Sequence, residues 1–142
     1  MPGKGGTMPR KKAGPAPGHS KRKAALYVRV STKYQIDKDS LPLQRKKLKE
    51  YCKMYDIDEY QIFEDDGYSA KNTDRPNFQK MMACIRKGDY THLIVWKVDR
   101  VSRNLLDFAT MYQELKERKV TFISLNEQVD TSTPIGGAML KI

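Results

Sequence analysis

Arg29 and Ser31 close the run AALYVRVS, Arg100 and Arg103 flank the end of DRVSR, and Arg75 ends the polar stretch DGYSAKNTDR. A serine hydroxyl is a weak nucleophile unless a base or a strong field assists it. His19 lies in a Gly/Pro-rich leader and His92 in a strand-like run, so a serine–histidine pair has no support. Phosphoryl transfer fits these residue types better, because guanidinium forks stabilise charge on phosphorane oxygens without a metal. Taken alone, each signal is ordinary. A strand-end serine is commonly a turn residue, and DRVSR reads first as a helix capped by Asp99 with two solvated arginines. Arg29 alters that balance, since burying an unpaired cation is costly. It is either half of an ion pair with Asp65 or Asp99, or it holds an anion. With Arg29, Arg75, Arg100 and Arg103 assigned to one edge, cations exceed what the local carboxylates neutralise, and a bound phosphate is the simplest account.

Other chemistries fit less well. GYSA and IGGA lack the lysine of a phosphate-binding loop and the spacing of a dinucleotide loop. Asp65 and Asp66 suggest a two-metal site, but only Asp99 joins them and arginines crowd the same space. Cys52 and Cys84 have no neighbouring Cys or His at metal-ligand spacing and fall on apolar helix faces, as reduced core thiols do. No metal and no cofactor is expected.

The elements that must position these residues are legible from periodicity. Residues 24–30 read as a strand and 41–55 as a helix with Leu41, Gln44, Leu48, Tyr51, Cys52 and Tyr55 along one side, Gln44 being the polar exception. Residues 59–65 read as a second strand. A helix follows from Pro76, with Phe78, Met81, Met82 and Ile85 inward and Gly88 at its end. Residues 91–98 are the most apolar strand, suited to the sheet centre. The next helix begins near Asp99 or Val101 and turns Leu105, Phe108, Ala109, Tyr112 and Leu115 inward. That start puts Arg100 and Arg103 on one side, at the positive end of the helix dipole. Residues 120–126 form the fourth strand. The alternation predicts a three-layer α/β/α fold with a mostly parallel sheet of four core strands and a possible short fifth edge strand. The carboxyl ends of its strands would gather the three polar clusters at one edge.

Charge is unevenly spread over the 142 residues, which carry a formal net charge of +10. Residues 1–23 hold seven basic groups and no acid; the remaining 20 basic and 17 acidic residues leave a body of only +3. The leader is too polar to fold and reads as a disordered basic segment, either native or an artificial addition with a second start at Met8. The body, 24–142, reads as one domain of a protein expected to be soluble and cytoplasmic, with no apolar run near the roughly 20 residues that span a membrane. IGGAMLKI opens a helix and stops without a cap, so the chain reads as cut inside a longer protein.

YVRVST (27–32), SLPLQ (40–44), FEDDGYSAKNTDRPNFQKM (63–81), VWKVDRVSR (95–103) and VDTSTPIGGAMLKI (129–142) together resemble the catalytic domain of the serine site-specific recombinases, the resolvase and invertase family. GYSAKNTDRP is most like the large recombinases of integrating elements and conjugative transposons. The resemblance implies that Ser31 attacks the scissile phosphate of double-stranded DNA and becomes a covalent 5′-phosphoserine. It implies that Arg29, Arg100 and Arg103 bind that phosphate with help from Arg75. Asp99 would orient an arginine or take part in proton transfer, Gln44 would support the site, and Tyr27, Asp65 and Ser69 would be supporting or DNA-proximal positions. It further implies a dimer, a tetramer in synapsis, and a bacterial or mobile-element origin. A glutamate that the family carries further along the last helix is absent, so an isolated domain should fold but act poorly, with Ser31 held loosely relative to Arg100 and Arg103. Two other readings compete: a non-catalytic module holding DNA or another phosphorylated ligand, and an interaction domain whose arginines pair internally with Asp65, Asp74 and Asp99.

Overall fold

The computed structural model describes residues 21–30, 40–66, 75–102 and 104–132. The elements follow in the order β1 (Lys23–Val30), α1 (Leu41–Met54), β2 (Glu59–Asp66), α2 (Pro76–Arg86), β3 (His92–Val95), a 3₁₀ turn (Val98–Arg100), α3 (Leu105–Glu117), β4 (Thr121–Ser124) and β5 (Val129–Asp130). The sheet order is β2-β1-β3-β4-β5. β1 to β4 are parallel, and the short edge strand β5 runs antiparallel to β4. This is the expected α/β/α architecture.

Strand alternation divides the core in two. Ala25, Tyr27, Phe63, Leu93, Val95 and Phe122 face α2 and α3, which contribute Met81, Met82, Ile85, Phe108, Met111 and Leu115. Ala24, Leu26, Val28, Ile94 and Ile123 face α1, which contributes Leu48 and Cys52. β1 is buried along almost its whole length, as a strand between two parallel neighbours with both faces covered must be. Continuing the alternation puts Arg29 on the α2/α3 face, in register with Asp65 of β2.

Local chemistry sets the helix ends. Ser40 caps α1, its hydroxyl accepting from the Leu43 amide at 3.3 Å, and Pro42 sits in the first turn where its missing N–H costs nothing. α2 ends before Gly88, whose φ of 88° is the left-handed conformation that glycine adopts without strain. α3 is capped by Asn104, whose side-chain oxygen accepts from the Leu106 and Asp107 amides at 2.8 and 3.2 Å.

The sequence reading is corrected after β3. That strand stops at Val95, and the chain turns through a 3₁₀ segment before α3 begins at Leu105. The Ser102 hydroxyl holds both the amide and the carbonyl of Asn104, closing a local turn that competes with an earlier helix start. Arg100 is therefore not at the N-terminus of a long helix, and the dipole argument does not apply to it. The later start also rotates the inner face: Phe108, Met111 and Leu115 are buried, whereas Leu105 and Ala109 are exposed. At the other end, β1 begins at Lys23, and the Arg22 amide bonds to the Asp58 carboxylate at 2.8 Å, so residues 22 and 23 belong to the fold and not to the leader.

Candidate active site

β1 is flanked by β2 on one side and β3 on the other, with crossovers on opposite faces. The switch point of this doubly wound sheet lies at the carboxyl ends of β1 and β3, where such folds bind ligands. Arg29 stands at the end of β1, and the 3₁₀ turn follows β3.

Here the guanidiniums of Arg29 and Arg75 converge on the backbone of residues 99–101. Arg29 donates from Nε to the Arg100 carbonyl at 3.1 Å and from Nη2 to the Asp99 carbonyl at 3.0 Å. Arg75 donates from Nη1 to the same Arg100 carbonyl at 3.1 Å and from Nη2 to the Val101 carbonyl at 2.9 Å. Arg100 answers by donating from Nη1 to the Arg29 carbonyl at 2.9 Å. Arg29, Arg75 and Arg100 are 0%, 2% and 3% exposed. These bonds run to carbonyl oxygens, with Asp99 as an ion-pair partner of Arg100. Burial, followed by the repulsion of Arg100, pulls the Arg29 guanidinium down to about 10, still fully cationic at neutral pH.

Gln44 is wholly buried, and its side-chain amide takes the place of a missing strand. β3 ends opposite Tyr27, so the β3 ladder does not continue beside Arg29 on that side. The Gln44 carbonyl accepts from the Arg29 amide at 3.3 Å, and its Nε2 donates to the Arg29 carbonyl at 2.9 Å. The polar exception on the apolar face of α1 is thus a brace for the backbone that carries Arg29.

Asp65 serves the neighbouring helix. Its carboxylate accepts from the Asn77 and Phe78 amides at 3.1 and 2.9 Å, supplying the cap that Arg75, at the N-cap position, does not. It also accepts from the Tyr27 hydroxyl at 2.8 Å. Burial pushes the Tyr27 phenol well above its ordinary value; nearby Arg75 opposes the rise and the bond to Asp65 adds to it. Arg75 packs its guanidinium 4.0 Å from the Phe78 ring centroid and 5.6 Å from that of Tyr27. Tyr27, Asp65 and Arg75 therefore form one buried unit joining β1, β2 and α2.

Asp99 is the partly exposed acid of the site. Its Oδ1 lies 3.2 Å from Arg100 Nε, close enough for an ion pair but not aligned as a hydrogen bond. Among the described contacts, Arg29 donates to the main-chain carbonyls of residues 99 and 100. Ser31, Ser69, Asp74 and Arg103 lie outside the described residues. The expected looseness between Ser31 and the arginines falls there too.

Two residues of this edge escape a reading of the sequence. Ser124, fully buried at the end of β4, donates from its hydroxyl to the Glu127 carboxylate. The same carboxylate accepts from the Val98 amide, with both oxygens at 3.3 Å, and so fixes the first residue of the 3₁₀ turn. A serine inside an apolar strand and an exposed turn glutamate carry no sequence signal of this contact.

The fold is a doubly wound α/β domain with three buried arginines gathered at its switch point. The chain belongs to the resolvase family: the family described as "Resolvase, N terminal domain" matches residues 24–142. It is 39% identical over 111 residues to a DNA-invertase of Enterobacteria phage P7, covering 78% of this chain and 52% of that protein. It is 40% identical over 110 residues to the serine recombinase gin of Escherichia phage Mu, covering 78% of this chain and 50% of that protein. The chain thus spans about half the length of the curated relatives it matches. Among solved structures, the N-terminal catalytic domain of TP901-1 integrase is similar with a TM-score of 0.77 and 29% identity, over 84% of this chain and 90% of that one. A resolvase family site-specific recombinase from Streptococcus pneumoniae matches with a TM-score of 0.68 and 31% identity, over 85% of this chain and 84% of that one.

Proposed function

We propose that this chain is the catalytic module of a serine site-specific recombinase, which cleaves and rejoins duplex DNA through a phosphoserine at Ser31. The observation that carries the reading is the gathering of Arg29, Arg75 and Arg100 at the switch point, because Ser31 follows β1 directly, two residues after Arg29. Three buried cations around one short backbone segment leave positive potential at the strand ends, and a phosphodiester is the anion whose geometry suits arginine forks. Membership of the resolvase family supports the same substrate class.

In the proposed reaction the Ser31 hydroxyl gives up its proton as its oxygen attacks the scissile phosphorus, the bond from phosphorus to the 3′ oxygen breaks, and the departing oxygen takes up a proton to become a 3′-hydroxyl, so that no net proton is gained or lost. Asp99, partly exposed at the mouth of the site, is positioned to orient Arg100 or to move that proton. Arg29, Arg100 and Arg103 stabilise the charge on the non-bridging oxygens, each such donor contributing about 2.7 to 4 kcal/mol in comparable sites. Religation reverses the step: a 3′-hydroxyl attacks the phosphoserine and the serine leaves. The number of phosphoester bonds is conserved, so no external energy source is required. Strand exchange would proceed within a tetramer formed by two DNA-bound dimers.

The test is denaturing-gel trapping of a protein–DNA adduct on recombination-site DNA nicked near the crossover, with wild type and Ser31→Ala compared in the whole protein. A protease-sensitive adduct that is lost with the substitution is the expected result. If wild type binds and synapses the DNA without forming an adduct, the chemistry is wrong and a non-catalytic phosphate-binding module is the better account.

A further inference from the structure

The mild positive charge of the body is concentrated in one element. α1 carries Arg45, Lys46, Lys47, Lys49 and Lys53 against the single acid Glu50, a net +4, whereas the whole of residues 24–142 carries +3. Everything else in the body is therefore slightly acidic, at −1. Arg45 is paired with Glu64 of β2. Lys46, Lys49 and Lys53 are exposed and make no ion pair among the described residues.

Their spacing puts them in one row. At 3.6 residues per turn, Lys46, Lys49 and Lys53 fall within an arc of about 60°. The centre of that arc is about 130° around the helix from that of Gln44, Leu48 and Cys52, the residues α1 buries. From Lys46 to Lys53 the helix rises about 10 Å. Glu50, four residues after Lys46 and three before Lys53, is the one acid beside them. Two residues before Lys46, on the buried side of the helix, Gln44 touches the backbone of Arg29. The row therefore begins toward the edge of the sheet that carries the switch point, but on the α1 face, whereas the Arg29 side chain is on the α2/α3 face, and it leads away along α1.

We infer that the outward row Lys46, Lys49 and Lys53 is a DNA-backbone contact, holding the duplex that runs out from the phosphate bound at the switch point. The inference rests on the proposed DNA substrate, and it adds a surface outside the reactive site. A duplex carries one charge per about 1.7 Å of its axis, so a row of this length meets several phosphates. Unpaired ammonium groups suit this role, since they contact phosphates as point charges without selecting sequence.

The experiment is fluorescence anisotropy of the full chain on a labelled duplex of arbitrary sequence, over a series of KCl concentrations. Lys46→Gln/Lys49→Gln/Lys53→Gln is compared with the charge-matched control Lys80→Gln/Lys87→Gln/Lys116→Gln, whose lysines are also exposed. The expected result is that the slope of log affinity against log salt becomes shallower by about 2 to 3 in the α1 variant, at about 0.9 per lost contact, and by less than 1 in the control. Equal changes in both variants would mean that net charge alone matters, and no change in the α1 variant would mean that the row faces solvent; either overturns the inference. Ser31→Ala separates this from the chemistry. An α1 effect on binding without a covalent adduct sinks only the phosphoserine reading, and an adduct with no α1 effect sinks only the DNA-contact row.

Discussion

Two groups of arginines hold this domain together, and they are neutralised in opposite ways. On the outer side of α2 and α3, Glu114 receives Arg86 at 2.6 and 3.0 Å through a two-pronged contact and Arg118 at 3.2 Å, while Arg118 also donates to the Arg86 carbonyl at 3.1 Å. Hydrogen bonds to Arg86 in the first place hold the Glu114 carboxyl below its ordinary value. That cluster is partly solvated and finds its counter-charge in a carboxylate. At the switch point, Arg29, Arg75 and Arg100 are buried and lean mainly on carbonyl oxygens, with Asp99 as the ion-pair partner of Arg100. In the first group the described contacts run to a carboxylate side chain; in the second they run largely to the main chain, and the proposed function draws on that difference.

The largest expected effect breaks the symmetry between the groups. Arg29→Lys keeps a cation but loses the fork that spans two carbonyls, and strand cleavage on a nicked substrate should slow by about a hundred- to a thousandfold. The matched change Arg86→Lys should leave the cleavage rate unaltered. Equal effects would mean that the switch-point cluster is only structural.

Next in size is the carboxylate of each region. Asp65→Ala leaves the Tyr27 hydroxyl and two helix amides without their acceptor, and urea unfolding should report a loss of about 3 kcal/mol. Glu114→Ala, at a partly solvated network, should cost about 1 kcal/mol or less. A change of similar size is expected from Glu127→Ala, about 1 kcal/mol, because it frees the Val98 amide at the rim of the site; cleavage should slow several-fold as the 3₁₀ turn loosens.

The smallest effect is a pH dependence. The folded pKa of Glu114 is depressed, so its contribution is complete above the unfolded value near 4.5 and fades as acid protonates the folded group. The stability difference between wild type and Glu114→Gln should thus be constant from neutral pH to about pH 5 and vanish at lower pH. A difference that persists at pH 2 would assign the effect to packing.

Much of this arrangement is legible in the residues themselves. Apolar alternation in β1 and the periodicity of α1 and α2 report burial directly, and Gln44 stands out because it breaks an apolar face. The gathering of Arg29, Arg75 and Arg100 follows once the strands are parallel, since parallel strands put their carboxyl ends on one edge. The start of α3 is not legible, because Asp99, Ser102 and Asn104 are all competent caps and only tertiary contacts choose among them. The role of Asp65 is hidden for a related reason: a helix is expected to be capped by its own neighbour in sequence, and α2 takes its cap from β2. Ser124 and Glu127 are invisible because each looks ordinary where it stands.

The grip of Arg29 and Arg75 on the carbonyls of residues 99–101 has a consequence for how this segment tolerates change. Every residue has a carbonyl, so the clamp is indifferent to which letters are written at Asp99, Arg100 and Val101; those side chains answer to other demands. It is unforgiving of length. Inserting or deleting one residue between Trp96 and Val101 would shift all the clamped carbonyls at once, and no compensating side chain would restore them. For anyone splicing domains or grafting loops at this edge, the number of residues between β3 and the clamp is the quantity to preserve.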